Sequence, residues 1–456
     1  MKHCTHILEA IGNTPIVKLN KVAKEVESEI YVKLEYMNPG GSIKDRIGKY
    51  ILEEAVKKGD LKPGGTIIEG TSGNTGVGLA MYAAIHNHKC IFVLADKQSK
   101  EKIDNLRAFG AKVVVCPTNV APEDPRSYYS VSKRLSQTIE NSYYVNQYDN
   151  LFNRETHFNH TGPEIKRQTE LDFDVFMAGV GTGGTITGIG SYLKSQKKEM
   201  KVVGVDIEGS ILAHYHKTGE MSEAHPYVLE GIGEDIIPGN LDMKVIDEFV
   251  TVYDKECFLM TRKLLSQEGI YAGGSSGAAI AGAIRYAKTL KTPQKILVIL
   301  PDSGNRYASK IYNDDWMRDN GYMENSFNVM VRDVLKNLHK EERSPIVKVT
   351  DSMTIKDTIE LMEKYGVSQI PVVSGKDIIG VVVEKNILRP LYENKLQLTD
   401  NISLAMQKNF TVVTPSDFLD KVTDALVKKE IVFIQHENSE LEILTDIDVL
   451  AFISHP

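Results

Sequence analysis

The sequence predicts an α/β protein of two lobes with parallel-rich sheets, followed by a smaller α+β unit that repeats internally. Three observations predict it. Apolar, β-branched runs alternate with amphipathic helical stretches up to about residue 312. Those runs are apolar on both faces, as strands covered by helices on each side must be. Several of them end in glycine-rich turns that open a helix, which is how parallel strand–helix units are joined.

In chain order the strands are expected at Ile30 to Leu34, Thr66 to Ile68, Cys90 to Leu94, Lys112 to Val115, Val175 to Ala178, Lys201 to Val205 and Lys295 to Leu300. That is many strands for one open sheet, so two lobes facing across a cleft are expected. The alternation ends near Trp316, and Asp314 to Ser326 is polar, as a linker would be. Beyond it, one half carries Ser368-Gln369-Ile370-Pro371-Val372-Val373, then Ile378 to Val383, then a helix from Asn386. The other carries Glu430 to Gln435, then Leu441 to Leu444, then Thr445-Asp446-Ile447-Asp448 opening a helix. Two β-β-α halves are too few for a solenoid and suit a pseudo-symmetric pair. The expected bounds are 1–312, a linker over 313–339, and halves over 340–396 and 397–456.

At 456 residues, 42% hydrophobic and 25% charged, the chain is long enough for two or three domains with sizeable cores. A formal charge of −7 argues against nucleic acid as the main partner. No run approaches the length of a membrane span, and the segment after Met1 has no apolar signal core. The 4 cysteines (Cys4, Cys90, Cys116 and Cys257) show no metal-ligand spacing. These features predict a reducing, cytoplasmic setting and no metal.

Gly181-Thr182-Gly183-Gly184-Thr185 follows a strand and opens a helix, so it reads as a cup of backbone N–H groups for a phosphate. Gly179, Gly181 and Gly184 also spell G-x-G-x-x-G, and Asp206 ends the next strand about twenty residues on, as in the dinucleotide fingerprint. Taken alone, the run leaves both owners open, besides a ligand-free turn. Three further motifs bear on the choice. Lys44 follows the turn Asn38-Pro39-Gly40-Gly41-Ser42-Ile43 at the N-terminal end of a helix, where acidic residues are usual. A positive helix end favours its neutral, nucleophilic form; a surface lysine is the plainer reading. Thr71-Ser72-Gly73-Asn74-Thr75-Gly76 is a hydroxyl-rich cup suited to a carboxylate, or else a capped turn. Gly273-Gly274-Ser275-Ser276-Gly277 opens a third helix in the same manner.

These motifs, in this order, resemble the fold-type II pyridoxal-phosphate (PLP) enzymes, the family that includes cysteine synthase, cystathionine β-synthase and the tryptophan synthase β chain. The resemblance covers residues 7 to 312, from Ile7-Leu8-Glu9-Ala10-Ile11-Gly12-Asn13-Thr14-Pro15 past Leu300-Pro301-Asp302-Ser303. It implies that Lys44 carries the cofactor as a Schiff base and acts as catalytic base and acid. It implies that Asn74 bonds the ring oxygen, Gly181, Thr182, Gly183, Gly184 and Thr185 hold the phosphate, and Ser275 faces the pyridine nitrogen. Thr71, Ser72, Thr75 and Gln147 would take the substrate carboxylate, with Tyr148 beside them. A serine at the ring nitrogen makes the ring a weaker electron sink, which suits β-elimination and replacement on serine or an activated serine.

Within the family, Gly40-Gly41-Ser42 and Glu230-Gly231-Ile232-Gly233-Glu234-Asp235-Ile236-Ile237-Pro238 favour the cystathionine β-synthase branch, condensing serine with homocysteine and also able to release H₂S from cysteine. The alternative is the cysteine synthase branch, using O-acetylserine and sulfide. Animal members often carry Tyr where this chain has Glu234; here Glu234 would pair with the ammonium of the second substrate, and Gly231 of the same loop would line the substrate site. The haem-bearing extension of animal members has no counterpart ahead of residue 7, so no haem is expected. The C-terminal halves resemble tandem CBS domains (a Bateman module), with Thr445 and Asp448 on the T-x-x-D positions that meet a ribose. S-adenosylmethionine or another adenosyl compound is the implied effector. In the first half Val383-Glu384-Lys385-Asn386 lacks both residues. The implied partners are small amino-acid substrates and further copies of the chain, as a homodimer or larger homo-oligomer.

Overall fold

The computed structural model describes residues 3–96, 98–121, 123–323, 329–337, 346–436 and 440–454. The chain divides into two compact units, Met1–Glu324 and Asn325–Pro456.

The first unit has ten strands: β1 (Ile16–Lys18), β2 (Glu29–Leu34), β3 (Thr66–Gly70), β4 (Lys89–Ala95), β5 (Lys112–Cys116), β6 (Ser142–Tyr144), β7 (Val175–Gly179), β8 (Lys201–Ile207), β9 (Glu248–Val252) and β10 (Lys295–Leu300). They form two sheets, one of 6 strands in the order β1-β2-β10-β7-β8-β9 and one of 4 in the order β5-β4-β3-β6. Only β1 runs antiparallel, against β2; the other pairings are parallel. The expected two-lobed, parallel-rich architecture is therefore present. Strands β1, β6 and β9 are additions to the sequence reading. The inner strands are buried throughout, as β3 and β10 illustrate. Their carboxyl ends carry the glycine and hydroxyl loops, the position where parallel sheets bind ligands.

Two helices, Lys44–Lys58 and Asn74–His86, pack together in the core of the four-stranded lobe. They touch backbone to backbone, because a Cβ on Gly48 would lie 2.5 Å from the Gly78 carbonyl carbon and one on Gly78 would lie 2.7 Å from the Lys44 oxygen. Any side chain at either position would push Lys44 and Asn74 apart.

The second unit repeats β-α-β-β-α, one strand and one helix more per half than the β-β-α reading. Strands β11 (Val349–Thr350), β12 (Gln369–Ser374) and β13 (Asp377–Val383) form one sheet, and β14 (Phe410–Val413), β15 (Ile431–Gln435) and β16 (Leu441–Leu444) the other. In each sheet the first two strands pair parallel and the last two antiparallel.

The segment expected as a linker over 313–339 is structured at both ends. Helix Asp314–Asp319 is capped by the Asn313 side chain, and Trp316 and Tyr322 pack edge-on against Phe258 of the first unit. Val331 and Val334 are fully buried in the core of the second unit with Val413 and Val422. Apolar side chains at 316, 322, 331 and 334 explain this, since each gains by burial. Residues 324–328 and 338–345, within the expected linker and at the start of the 340–396 half, lie outside the described residues.

Candidate active site

A cavity of about 490 Å³ opens at the carboxyl ends of the strands, lined by Lys44, Thr71, Ser72, Asn74, Gln147, Tyr148, Gly181, Thr182, Gly183, Thr185, Gly231, Glu234 and Ser275 among others. The motifs singled out in the sequence thus converge on one site.

Lys44 is the first residue of its helix. Burial lowers its pKa to about 8, while Glu234 and Asp302 pull it back upward. Desolvation primes this amine, a cause the sequence reading, which rested on the helix end, did not include. Behind it, Asp45 accepts from the Gly40 backbone N–H at 2.6 Å and locks the glycine turn onto the helix.

Asn74 opens the neighbouring helix with its amide fully oriented. Its Nδ2 donates to Asp302 Oδ2 at 2.8 Å, and Arg306 donates to its Oδ1. Tyr307 donates to the same Asp302 oxygen at 2.7 Å. Asp302, Arg306 and Tyr307 follow β10 and received no role from the sequence.

The carboxylate cup is preassembled. Thr75 Oγ1 donates to Gln147 Oε1 at 2.6 Å, and Gln147 Nε2 donates to the Gly70 carbonyl at 3.1 Å. Glu69 accepts the backbone N–H groups of Asn146 (2.8 Å) and Gln147 (3.2 Å) and so sets the loop. Burial pushes Glu69 up to about 8 despite those donors.

The phosphate cup is the N-terminal turn of helix Gly184–Gln196, with Gly183 at a φ of 79°. That φ is the left-handed region glycine favours. A Cβ on Gly184 would collide with Asn153, and one on Gly181 would lie 3.0 Å from the Gly231 oxygen. Thr182 Oγ1 accepts from Asn153 Nδ2 at 3.0 Å, and Thr185 Oγ1 meets His157 Nε2 at 3.3 Å. His157 starts a π-helical turn, His157–Thr161, a local widening frequent at functional sites. Burial, with Lys44 and Arg46 adding to it, keeps this imidazole neutral. Asn153 and His157 were missed; their i, i+4 spacing on a polar helix face was the available signal.

Asp206 is fully buried and accepts from Ile207 N at 3.0 Å and Ala213 N at 2.8 Å. It has no access to a ribose, which removes the dinucleotide reading. Ser275 is buried at the start of helix Gly274–Ala287, 4.0 Å from where a Cβ on Gly231 would stand. At the mouth, Tyr148 and Tyr128 share a hydroxyl contact of 3.2 Å with Tyr129 edge-on to Tyr148, and Tyr227 also lines the wall. Burial raises all four phenols, so they remain neutral donors beside the half-buried Glu234.

Thr445 and Asp448 also meet, in the second unit: Asp448 Oδ2 accepts from Thr445 N at 2.8 Å and from Thr445 Oγ1 at 2.7 Å. Among the described residues no cluster of His, Cys, Asp or Glu has the makings of a metal site, and no helix is long and apolar enough to cross a membrane.

A pyridine ring bearing a phosphate arm and an aldehyde would use all four helix starts at once, and the glycine cradle, the lowered Lys44 and the buried Ser275 fit it. The fold and the cleft therefore define a pyridoxal-phosphate-dependent enzyme. The family model described as pyridoxal-phosphate dependent enzyme matches residues 7–302, and the model described as CBS domain matches residues 331–393. The cystathionine beta-synthase of Oryctolagus cuniculus is 40% identical over 436 residues, covering 94% of this chain and 79% of that protein. The cystathionine beta-synthase of Dictyostelium discoideum is 37% identical, covering 98% of this chain and 92% of that one. Among solved structures, the O-acetylserine dependent cystathionine beta-synthase from Helicobacter pylori matches with a TM-score of 0.63 at 40% identity, covering 69% of this chain and 100% of that chain. The chain belongs to the cystathionine β-synthase family.

Proposed function

We propose that this protein condenses L-serine with L-homocysteine to give cystathionine and water. The carrying observation is identity of 37–40% to cystathionine β-synthases across nearly the whole chain. The Cβ–O bond of serine breaks and a Cβ–S bond forms, with hydroxide leaving as water. With cysteine as donor, the same β-elimination releases sulfide. When bound, pyridoxal phosphate supplies the electron sink for the carbanion at the substrate's α carbon.

The chain's own residues do the rest. Gly181 to Thr185 hold the phosphate, Asn74 and Ser275 orient the ring, and Lys44 joins the cofactor. Thr71, Ser72, Thr75 and Gln147 hold the donor's carboxylate through hydroxyl, amide and backbone donors. That fixes the α C–H toward Lys44, whose amine takes the proton and later returns one. Glu234, near enough to Lys44 to raise its pKa, receives the ammonium of the thiol substrate, with neutral tyrosines around it.

A second reading of the donor is O-acetylserine, favoured by the similarity to the O-acetylserine dependent cystathionine beta-synthase from Helicobacter pylori. Turnover measured side by side with serine plus homocysteine, O-acetylserine plus homocysteine, and O-acetylserine plus sulfide separates the readings. Homocysteine is expected to be the better acceptor with either donor. A clear preference for sulfide would instead make the protein a cysteine synthase. Glu234→Ala is expected to raise the homocysteine KM about tenfold, the worth of one charge-assisted contact, with the serine KM unchanged. An unaltered homocysteine KM would remove Glu234 from acceptor binding.

The second unit is proposed to bind an adenosyl compound, S-adenosylmethionine by the family's habit, through Thr445 and Asp448. Their mutual bonds form a capping box at the start of the last helix, which sets the carboxylate on the family's T-x-x-D position. Titration calorimetry on the full chain is expected to show S-adenosylmethionine binding that Asp448→Ala abolishes. No heat with the unaltered chain would leave a structural module. The 4 free cysteines fit a reducing, cytoplasmic setting.

A further inference from the structure

Asp206 was noticed in the sequence for a fingerprint it does not serve, yet its placement is costly. It is a fully buried carboxylate at the end of β8, and burial lifts its pKa to about 6 against the Ala213 and Ile207 N–H groups that donate to it. A buried acid is retained where its acceptors are needed. Here they tie the end of β8 to the start of helix Leu212–Thr218 and fold the turn between them, Glu208 to Ile211.

That turn holds Glu234. Ser210 Oγ accepts from the Glu234 backbone N–H at 3.0 Å and donates to its carbonyl at 3.2 Å. Ile211 N donates to the same carbonyl at 3.1 Å. One residue earlier, Gly233 N donates to the Val180 carbonyl at 2.8 Å, just ahead of the phosphate cup. Gly233 has a φ of 79°, and a Cβ there would run into Ile207 and Tyr227. The Glu234 backbone is thus clamped between the ends of β7 and β8, with its carboxylate 3.5 Å from where a Cβ on Gly181 would stand.

We propose that Asp206 is a positioning residue for the acceptor substrate: by holding both ends of the Glu208 to Ile211 turn through the Ile207 and Ala213 N–H groups, it sets the Ser210 hydroxyl and the Ile211 N–H that fix the Glu234 backbone, and so aims the carboxylate that meets the thiol's ammonium, while touching neither substrate. The donor cup of Thr71 to Thr75 and Gln147 follows β3 and β6, strands of the other sheet, and contributes none of the hydrogen bonds that form this clamp. The inference rests on the acceptor role of Glu234 given above.

The test uses the full-length holoenzyme and three variants, Asp206→Asn, Ser210→Ala and Glu234→Ala. KM for homocysteine, KM for serine and the visible spectral change on adding serine alone are measured for each. Asp206→Asn and Ser210→Ala are expected to raise the homocysteine KM about threefold to tenfold, with the serine KM and the serine-induced spectrum unchanged. If Asp206→Asn folds poorly, Asp206→Glu, which keeps the charge but displaces the acceptor oxygens, decides the Asp206 role, and Ser210→Ala reports on the bond to Glu234 alone. Equal rises in both KM values would mean general loosening and overturn the proposal. A homocysteine effect in Glu234→Ala but in neither other variant would overturn it while leaving the Glu234 role standing. No effect in Glu234→Ala would remove that role and the proposal with it.

Discussion

Lys44→Ala is expected to leave a folded protein that has lost turnover by about a thousandfold or more, together with the visible absorbance of bound cofactor. The fold survives because the lysine head lines the cavity and alanine is the best helix former at that position. The chemistry does not survive, because one amine both joins the cofactor and moves the α-proton. The lowered pKa of about 8 gives the expectation a pH dependence. Only the neutral amine attacks an aldehyde, so covalent capture of pyridoxal phosphate by the cofactor-stripped protein should quicken with rising pH and level off above about pH 8. Stopped-flow absorbance on the stripped protein measures this. A rate still climbing steeply toward pH 10 would mean that burial does not prime Lys44. A variant that kept both colour and turnover would mean that the lysine is elsewhere.

The lobes and the four loops were legible in the sequence because each rests on a local rule. Strands buried on both faces read as apolar runs, and a backbone cup must be written in glycine. What stayed hidden depends on long-range contacts. Strands β1 and β6 are three residues each and half exposed, too short for a period to show. His157, Asp302 and Arg306 look like surface polar residues until folding sets them beside Thr185 and Asn74. Gly48 and Gly78 sit inside helices where glycine is unfavourable, and only the crossing of two backbones accounts for them. Burial of Lys44 stayed hidden for the same reason, since a helix end is visible in a sequence and a desolvating wall is not. Lys33 lies within the apolar run Ile30 to Leu34, and sequence alone gave no hint that it is completely buried.

Lys33 belongs to the feature whose disruption should cost the fold most. Arg46, two residues beyond Lys44, pairs with Glu35 Oε2 at 2.7 Å and Glu164 Oε2 at 2.9 Å, while Lys33 Nζ meets Glu164 Oε1 at 2.6 Å. All four side chains are buried, two cations against two anions. In Arg46→Met the stem is roughly conserved, but two buried carboxylates face one lysine. Breaking such a set by removing one member costs about 3–5 kcal/mol, enough to lower the thermal midpoint by on the order of 10 °C. The sign of its pH dependence can be worked out from Glu164. Burial raises this carboxyl, but Arg46 and Lys33 outweigh that and hold it at about 2. In the natural chain Glu164 therefore contributes stability that is complete above the ordinary carboxylate range and is lost as pH falls toward about 2. Without Arg46 the burial dominates, the pKa rises, and the ionised form becomes a penalty that protonation relieves. The gap between variant and natural chain should be widest near neutral pH and should narrow as pH drops toward about 4.5. Thermal melts at both pH values measure it. An unchanged gap would assign the loss to packing around the arginine stem and not to an unpaired buried charge.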